Sequence, residues 1–152
     1  MPDLATHILS VYFGRYLKRV GKYFPALLAG AVLPDLGRGL GAVMAPHFYW
    51  AWAALHTPFV LLPVCYLISM CFQRSLRRGV FLAMYAGSLA HLALDLLQRH
   101  IGGASYIVGF PFTWKSFELG LFWPESSLLV MPFLVAGVVA FELIRRRRKE
   151  TQ

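Results

Sequence analysis

Three apolar runs separated by clusters of basic residues constrain the fold of this chain more than any other feature. The runs cover residues 55–72, 80–97 and 127–144, and each holds about 18 residues, close to the length that a helix needs to cross a hydrocarbon core of about 30 Å. Of the 152 residues, 58% are hydrophobic and only 14% are charged. A soluble domain carries about 25% charged residues. The sequence therefore predicts an all-α, polytopic integral membrane protein.

The basic residues predict how the chain is threaded through the membrane. The formal net charge is +8, and all lysines and arginines except Arg38, Arg99 and Lys115 lie in three clusters at 15–22, 74–78 and 145–149. Each cluster adjoins an apolar segment, as the positive-inside rule expects of cytoplasmic loops. We therefore expect one membrane-embedded domain at 1–144 and a basic cytoplasmic tail at 145–152. Contact of this tail with anionic lipid, or with nucleic acid, is the alternative to a simple topological role; we expect no nucleic-acid partner.

Two further apolar segments are less regular. Residues 4–17 are few for a membrane span and predict a short, retained helix that ends at the first basic cluster. Residues 24–44 are interrupted by Pro34, Asp35 and several glycines, so we expect a helix up to about Leu33 followed by irregular backbone. The prediction is a bundle of about four to five helices with a broken second helix.

Five side chains that can bind metals or transfer protons fall at one end of the apolar segments. They are His7, Asp35, His56, His91 and Asp95. If the first helix runs toward the cytoplasm, alternation of the following helices places all five on the non-cytoplasmic side. Charged and imidazole side chains at membrane depth are costly and therefore indicate function. The sequence predicts that these five meet in one pocket near the outer face of the bilayer.

The strongest local motif is the pair His91 and Asp95. Their i, i+4 spacing places both side chains on one helix face, where both can bind one ion. Taken alone, the pair is equally explained by a hydrogen bond within an apolar helix. Addition of His7, Asp35 and His56 favours a divalent ion, and this set of ligand types suits Zn²⁺ or Mn²⁺. The five residues serve either one ion with open positions or two ions bridged by water.

Other polar residues are weaker candidates. Asp3 precedes the first histidine by four residues and is either a partner that fixes the histidine tautomer or, by preference, a helix cap. His47 and His100 are expected to be ordinary interfacial histidines. Glu118 and Glu125 are candidates for a general base in the aromatic stretch between the fourth and fifth helices. The aromatic residues of this stretch are Tyr106, Phe110, Phe112, Trp114, Phe117, Phe122 and Trp123. This stretch indicates an interfacial aromatic belt or, less readily, a lid over the site.

The order of these motifs resembles a family of LexA-regulated, inner-membrane-associated metal-dependent hydrolases. The likeness covers residues 7–124 and rests on His7-Ile-Leu, Leu33-Pro34-Asp35, His56-Thr57, Ala90-His91-Leu-Ala-Leu-Asp95 and Phe122-Trp123-Pro124. Where the family has PDxD, this chain has Pro34-Asp35-Leu36-Gly37, and the Arg and Gly of the family's RGxTHS motif are absent before His56. The resemblance implies a metal-dependent hydrolase of the bacterial inner membrane and leaves its substrate open.

A metal in such a site would supply hydroxide from bound water near neutral pH and polarise the attacked group. A site at the outer leaflet favours a membrane lipid or another amphiphilic substrate, such as a lipid-linked phosphoester. The family's arginine is missing here, and Arg38, Arg99 or Lys115 is the expected substitute in phosphate binding, since these are the few cations on the same side. The alternatives are a non-catalytic membrane assembly subunit or small transporter with a polar His/Asp network, and a cation-coupled carrier. The oligomeric state is not predicted.

Overall fold

The computed structural model describes residues 4–45, 47, 54–99 and 107–150. Within these ranges the chain forms five α-helices: α1 (Leu4–Tyr12), α2 (Phe24–Met44), α3 (Pro58–Met70), α4 (Arg74–Leu97) and α5 (Pro124–Glu150). Short 3₁₀ turns at Phe13–Tyr16, Gly21–Tyr23 and Ala54–His56 join them. The only strand-like pairing in the described ranges is an isolated bridge between Gln98 and Phe122. The all-α prediction is confirmed for this part of the chain.

One helix in the described part of the chain, α4, is both long and apolar enough to cross a membrane. Helix α3 is apolar but has 13 residues, which give a length of about 20 Å against a hydrocarbon core of about 30 Å. The predicted span at 55–72 is therefore corrected to a shorter helix, because Thr57 and Pro58 start α3 after a separate 3₁₀ turn. The predicted span at 127–144 lies within α5, where several side chains are outside the described residues. The polytopic arrangement stays a prediction.

The second helix is continuous, so the prediction of a break after Leu33 is wrong. Helix α2 contains Pro34 in its interior and extends to Met44. A proline lacks the N–H that would bond the carbonyl four residues earlier, which here is that of Gly30. The Ser88 hydroxyl of α4 donates to this Gly30 carbonyl at 3.0 Å. A neighbouring helix thus satisfies the group that the proline leaves without a partner, as is usual for prolines in apolar helices.

Helices α2 and α4 form the centre of the fold and approach each other at two glycines. A Cβ atom added to Gly30 would lie 1.9 Å from the Met84 carbonyl oxygen, and one added to Gly87 would lie 2.1 Å from the Leu27 carbonyl oxygen. Neither position can hold a side chain unless the helices move apart. Small residues permit this kind of close backbone packing between apolar helices. The close approach fixes the position of α4 relative to Asp35 on α2.

The three basic clusters lie at one end of the molecule. Arg145 on α5 lies 3.9 Å from the ring centroid of Tyr16, and the Tyr12 hydroxyl donates to Glu142 at 2.7 Å. These contacts hold the start of the 145–149 cluster beside the first cluster. The basic residues continue α5 to Glu150, so the backbone of the predicted tail at 145–152 is helical up to that residue.

Candidate metal centre

The three histidines and two aspartates singled out in the sequence lie together in one buried pocket. Helix α1 supplies His7, α2 supplies Asp35, the 3₁₀ turn before α3 supplies His56, and α4 supplies His91 and Asp95. All are fully buried except Asp35, whose side chain is 17% exposed. The predicted convergence of residues far apart in the sequence is confirmed. Helix α1 is shorter than the predicted 4–17 segment, which continues as a 3₁₀ turn.

Each histidine presents its Nε2 atom to both carboxylates. The Asp35 oxygens lie 4.0 Å from Nε2 of His7, 3.4 Å from that of His56 and 3.7 Å from that of His91. The Asp95 oxygens lie 3.6, 3.8 and 3.3 Å from the same three atoms. The five side chains therefore point their potential ligand atoms at a common space.

These separations match those between atoms that share one ion. Two atoms bound about 2.1 Å from a metal are about 3.4 Å apart at a tetrahedral angle and about 3.0 Å apart at an octahedral one. The observed nitrogen–oxygen distances of 3.3 to 4.0 Å are at or slightly above these values. Most are too long for good hydrogen bonds. The pocket has the dimensions of a site that tightens slightly around an ion.

A backbone hydrogen bond fixes the orientation of His91. Its Nδ1 lies 2.7 Å from the carbonyl oxygen of Ala31, and a carbonyl only accepts, so Nδ1 donates. In the neutral imidazole this leaves the lone pair on Nε2, which faces Asp95 at 3.3 Å. Neither His91 Nε2 nor either Asp95 oxygen has a hydrogen-bond partner in the described part of the chain. A cation between these atoms would satisfy all three.

The three imidazole rings of the cluster lie close to one another. The rings of His7 and His91 are stacked with centroids 3.7 Å apart and an interplanar angle of 16°. The ring of His56 meets that of His91 at 63°, with centroids 5.5 Å apart. Protonation of both stacked rings would place two positive charges in close contact within a buried pocket, which is unfavourable.

The pocket fits one ion better than two. Two overlapping triads have ligand atoms within 4.8 Å of one another, namely His7–Asp35–His91 and His56–His91–Asp95. Both triads use His91, whose Nδ1 is already engaged, and the single lone pair on Nε2 can bind only one ion. The two triads are thus alternative descriptions of one shared space with five potential ligands.

A local capping motif positions His56. The Thr57 hydroxyl donates to the Ala54 carbonyl at 2.7 Å and accepts from the Val60 N–H at 3.4 Å, which caps α3. Pro58 follows at the first turn, where its missing N–H has no cost. The His56-Thr57-Pro58 sequence therefore ends the 3₁₀ turn and starts α3. It holds the imidazole of His56 just before the N-terminus of α3.

Backbone hydrogen bonds attach the aromatic stretch to the C-terminal end of α4, beside the pocket. The N–H groups of Leu119 and Leu121 donate to the carbonyls of Leu96 and Leu97, each at 2.7 Å. The Arg99 N–H donates to the Phe122 carbonyl at 2.9 Å, and its guanidinium lies 4.8 Å from the ring centroid of Trp123. Several aromatic side chains of the stretch are exposed, as expected of an interfacial belt: Phe112, Trp114 and Phe117.

Gln98 is a polar residue of this region that sequence reasoning missed. It is fully buried, and neither its side-chain oxygen nor its side-chain nitrogen has a hydrogen-bond partner among the described residues. It is the extended C-cap residue of α4, and it follows Asp95 by three residues and His91 by seven, the spacing of that helix face. Extending the His91–Asp95 pattern by one more helical turn would have identified Gln98 from the sequence.

The remaining sequence candidates do not join the cluster in the described part of the chain. His47, Arg99, Lys115 and Glu118 are exposed. Asp3 and His100, as well as the side chains of Arg38 and Glu125, lie outside the described residues.

Comparison with models of known families, with curated proteins and with solved structures found no match to this chain. The geometry of the cluster and the chemistry of its residues are therefore what indicates a function.

Proposed function

We propose that this protein is a membrane-bound, metal-dependent hydrolase. Its ion, Zn²⁺ or Mn²⁺, is held by the five-residue cluster made of His7, Asp35, His56, His91 and Asp95. The observation that carries the proposal is that every histidine Nε2 lies within 4.0 Å of both carboxylates in a buried pocket. The ligand types suit either metal.

Charge balance supports a divalent ion. Two carboxylates beside three imidazoles in a buried space are costly unless compensated. A dication neutralises both carboxylates while the histidines remain neutral, which also suits the stacked rings of His7 and His91. The hydrogen bond from His91 to the Ala31 carbonyl supplies the outer support that metal-bound imidazoles usually have.

The partial exposure of Asp35 indicates where a substrate approaches. It is the one member of the cluster that solvent reaches, so water and substrate enter on its side. A bound ion would lower the pKa of its water and polarise the attacked group. Asp35, the partly exposed carboxylate 3.4 Å from Nε2 of His56, would hold the ion on the open side of the pocket and could accept a proton there through its second oxygen. His7, His91 and Asp95 hold the buried side of the pocket.

The distribution of polarity supports a membrane location. The fully buried residues include the cluster histidines, Asp95, Gln98 and Ser88, whereas large apolar side chains face outward. On α3 the exposed large apolar residues are Phe59, Leu62, Tyr66, Leu67 and Met70, and α5 exposes Leu129, Phe133, Val139 and Phe141 among others. Apolar surface of this extent marks contact with a membrane or a partner. Together with the apolar α4, it supports a bacterial inner-membrane protein whose C-terminus is cytoplasmic.

A substrate at this position is an amphiphile, and we propose a lipid or lipid-linked phosphoester near the non-cytoplasmic leaflet. Arg99, held against Trp123 beside the pocket, is the described cation best placed to meet a phosphate. The resemblance to the LexA-regulated, inner-membrane-associated hydrolases supports the same reaction class.

The test is hydrolysis by the purified, metal-depleted protein after addition of Zn²⁺ or Mn²⁺, with a panel of lipid phosphoesters in mixed micelles. We expect metal-restored phosphate release, and a loss of about 100-fold or more in Asp35→Asn and His56→Ala, since each removes a ligand. His47→Ala is the matched control, because His47 is exposed and outside the cluster. Bound metal without hydrolysis of any phosphoester would contradict this substrate class. A metal-free, inactive protein would favour the non-catalytic alternative.

A further inference from the structure

A groove of about 690 Å³ lies toward the basic end of the molecule. Its walls are α1, the start of α2, the turn between them and one face of α4. Along α4 the lining runs from Ser75 to Ala90, which is about 22 Å at the rise of an α-helix. Half of a hydrocarbon core measures about 15 Å. The groove is therefore long enough to cross one leaflet of a bilayer.

Two arginines line this groove at its basic end. Arg19 comes from the turn before α2 and Arg78 from the first turns of α4, and both are exposed. Neither has an ion-pair partner in the described part of the chain, and no acidic residue described there lines the groove. The rest of the lining is mostly apolar, and Leu17 and Leu82 are more than half exposed beside it. The groove is thus cationic at the end that holds the two arginines and apolar along the rest of its length. We call this apolar part the trough.

We propose that this groove binds an anionic phospholipid of the cytoplasmic leaflet. Its headgroup phosphate lies between Arg19 and Arg78, and one acyl chain follows α4 toward Ala90. Each part of the lipid meets a surface of complementary character, since anionic headgroups are attracted to Lys and Arg and the chain removes apolar surface from water. A free phosphate would use only the exposed arginines and leave the apolar trough uncovered.

The headgroup end of this lipid site is far from the metal centre. Arg78 precedes Asp95 by 17 residues of continuous helix, which places them about 25 Å apart along α4. The inference rests on the membrane location in the proposed function but not on hydrolysis. The lipid at this groove is accordingly a bound partner rather than the substrate.

Native mass spectrometry of the full chain tests the proposal. The purified protein is mixed with equal amounts of phosphatidylglycerol and phosphatidylcholine in detergent, and the retained lipid is counted. We expect phosphatidylglycerol to be retained in preference. The double variant Arg19→Ala/Arg78→Ala should retain it about 30-fold less, since each basic residue near an anionic headgroup contributes about a fivefold gain in affinity. Lys18→Ala/Arg74→Ala is the matched control, because it removes the same charge from neighbouring residues that do not line the groove.

A second variant tests the trough itself. Ala86→Trp places a large side chain at an exposed lining position and should reduce retention of both lipids. Helix content, measured by circular dichroism, serves as the folding check for every variant. His91→Ala should lose metal and keep phosphatidylglycerol, which separates failure of this inference from failure of the metal centre.

Three results would overturn the lipid site. One is equal retention of the two lipids by the unmodified protein. Another is an equal loss in the control pair, which would show an effect of net charge alone. The third is displacement of phosphatidylglycerol by millimolar inorganic phosphate, which would show an anion site without an acyl chain.

Discussion

At the scale of single residues, the metal centre depends on how His91 is held. Its Nδ1 donates to the carbonyl of Ala31, one helical turn before Asp35. The same helix α2 therefore supplies both a carboxylate of the cluster and the group that orients a histidine of α4. The i, i+4 pair His91 and Asp95 could be predicted from sequence, because helix geometry alone places both on one face. The supporting carbonyl could not, because it depends on how two helices pack.

Gln98 gives a prediction about stability at this scale. Replacement of Gln98 by Met keeps the length of the side chain and removes a buried amide that has no partner among the described residues. We expect the free energy of unfolding to rise by about 1–2 kcal/mol, since a buried unpaired amide is costly. Denaturant titration in detergent, followed by circular dichroism, measures it.

The matched control for Gln98 is Gln73→Met. Gln73 is exposed at the start of α4, so its replacement should change the free energy of unfolding little. A decrease of stability in Gln98→Met but not in Gln73→Met would contradict the account, since it would show that the Gln98 amide makes a favourable contact.

At the scale of elements, the continuity of α2 shows why sequence patterns failed locally. Pro34 with nearby glycines predicts a broken helix, and a proline does remove a hydrogen bond. The sequence around Pro34 carries no sign that Ser88, on another helix, satisfies the Gly30 carbonyl at 3.0 Å. The start of α3 differs from this case, because the residues that determine it are adjacent in the sequence. The Thr57-Pro58 pair is a recognisable helix start and indicates a helix shorter than the apolar run.

The close contact of α2 with α4 predicts the effect of enlarging a glycine. In Gly30→Ala the added Cβ would meet the Met84 carbonyl at 1.9 Å, so the helices must separate. We expect the free energy of unfolding to fall by about 1–3 kcal/mol, as for other overpacked sites. Metal affinity should also fall about tenfold or more, because α2 carries Asp35 and the Ala31 carbonyl. Thermal unfolding and metal titration measure the two effects.

Gly39→Ala is the control on the same helix. A Cβ at Gly39 meets nothing within 4 Å, and alanine favours the helix by about 0.5–1 kcal/mol over glycine. This variant should therefore be as stable as the unmodified protein or more so, with unchanged metal affinity. Equal behaviour of the two variants would contradict the role of Gly30 in setting the distance between the helices.

At the scale of the whole molecule, the described interior combines apolar clusters with a group of buried polar residues, and many large apolar side chains lie on the surface. Composition and the positions of the basic clusters were enough to predict helices and a shared end for five distant polar residues. Those patterns carry no information on distances, so the separations of 3.3 to 4.0 Å that favour a single shared ion could only come from the structure. The position of the aromatic stretch could not be predicted either, because its backbone hydrogen bonds to α4 correspond to no recognisable sequence pattern.

The most direct test of the central claim is elemental analysis of the purified protein together with its His91→Ala and His47→Ala variants. We expect about one Zn or Mn ion per chain in the unmodified protein and in His47→Ala, and below about 0.1 ion in His91→Ala at equal helix content. Bound metal should be lost as the pH is lowered, because protons compete for the imidazole nitrogens. A protein that takes up neither metal, or a His91→Ala variant that keeps a full complement, would contradict the account.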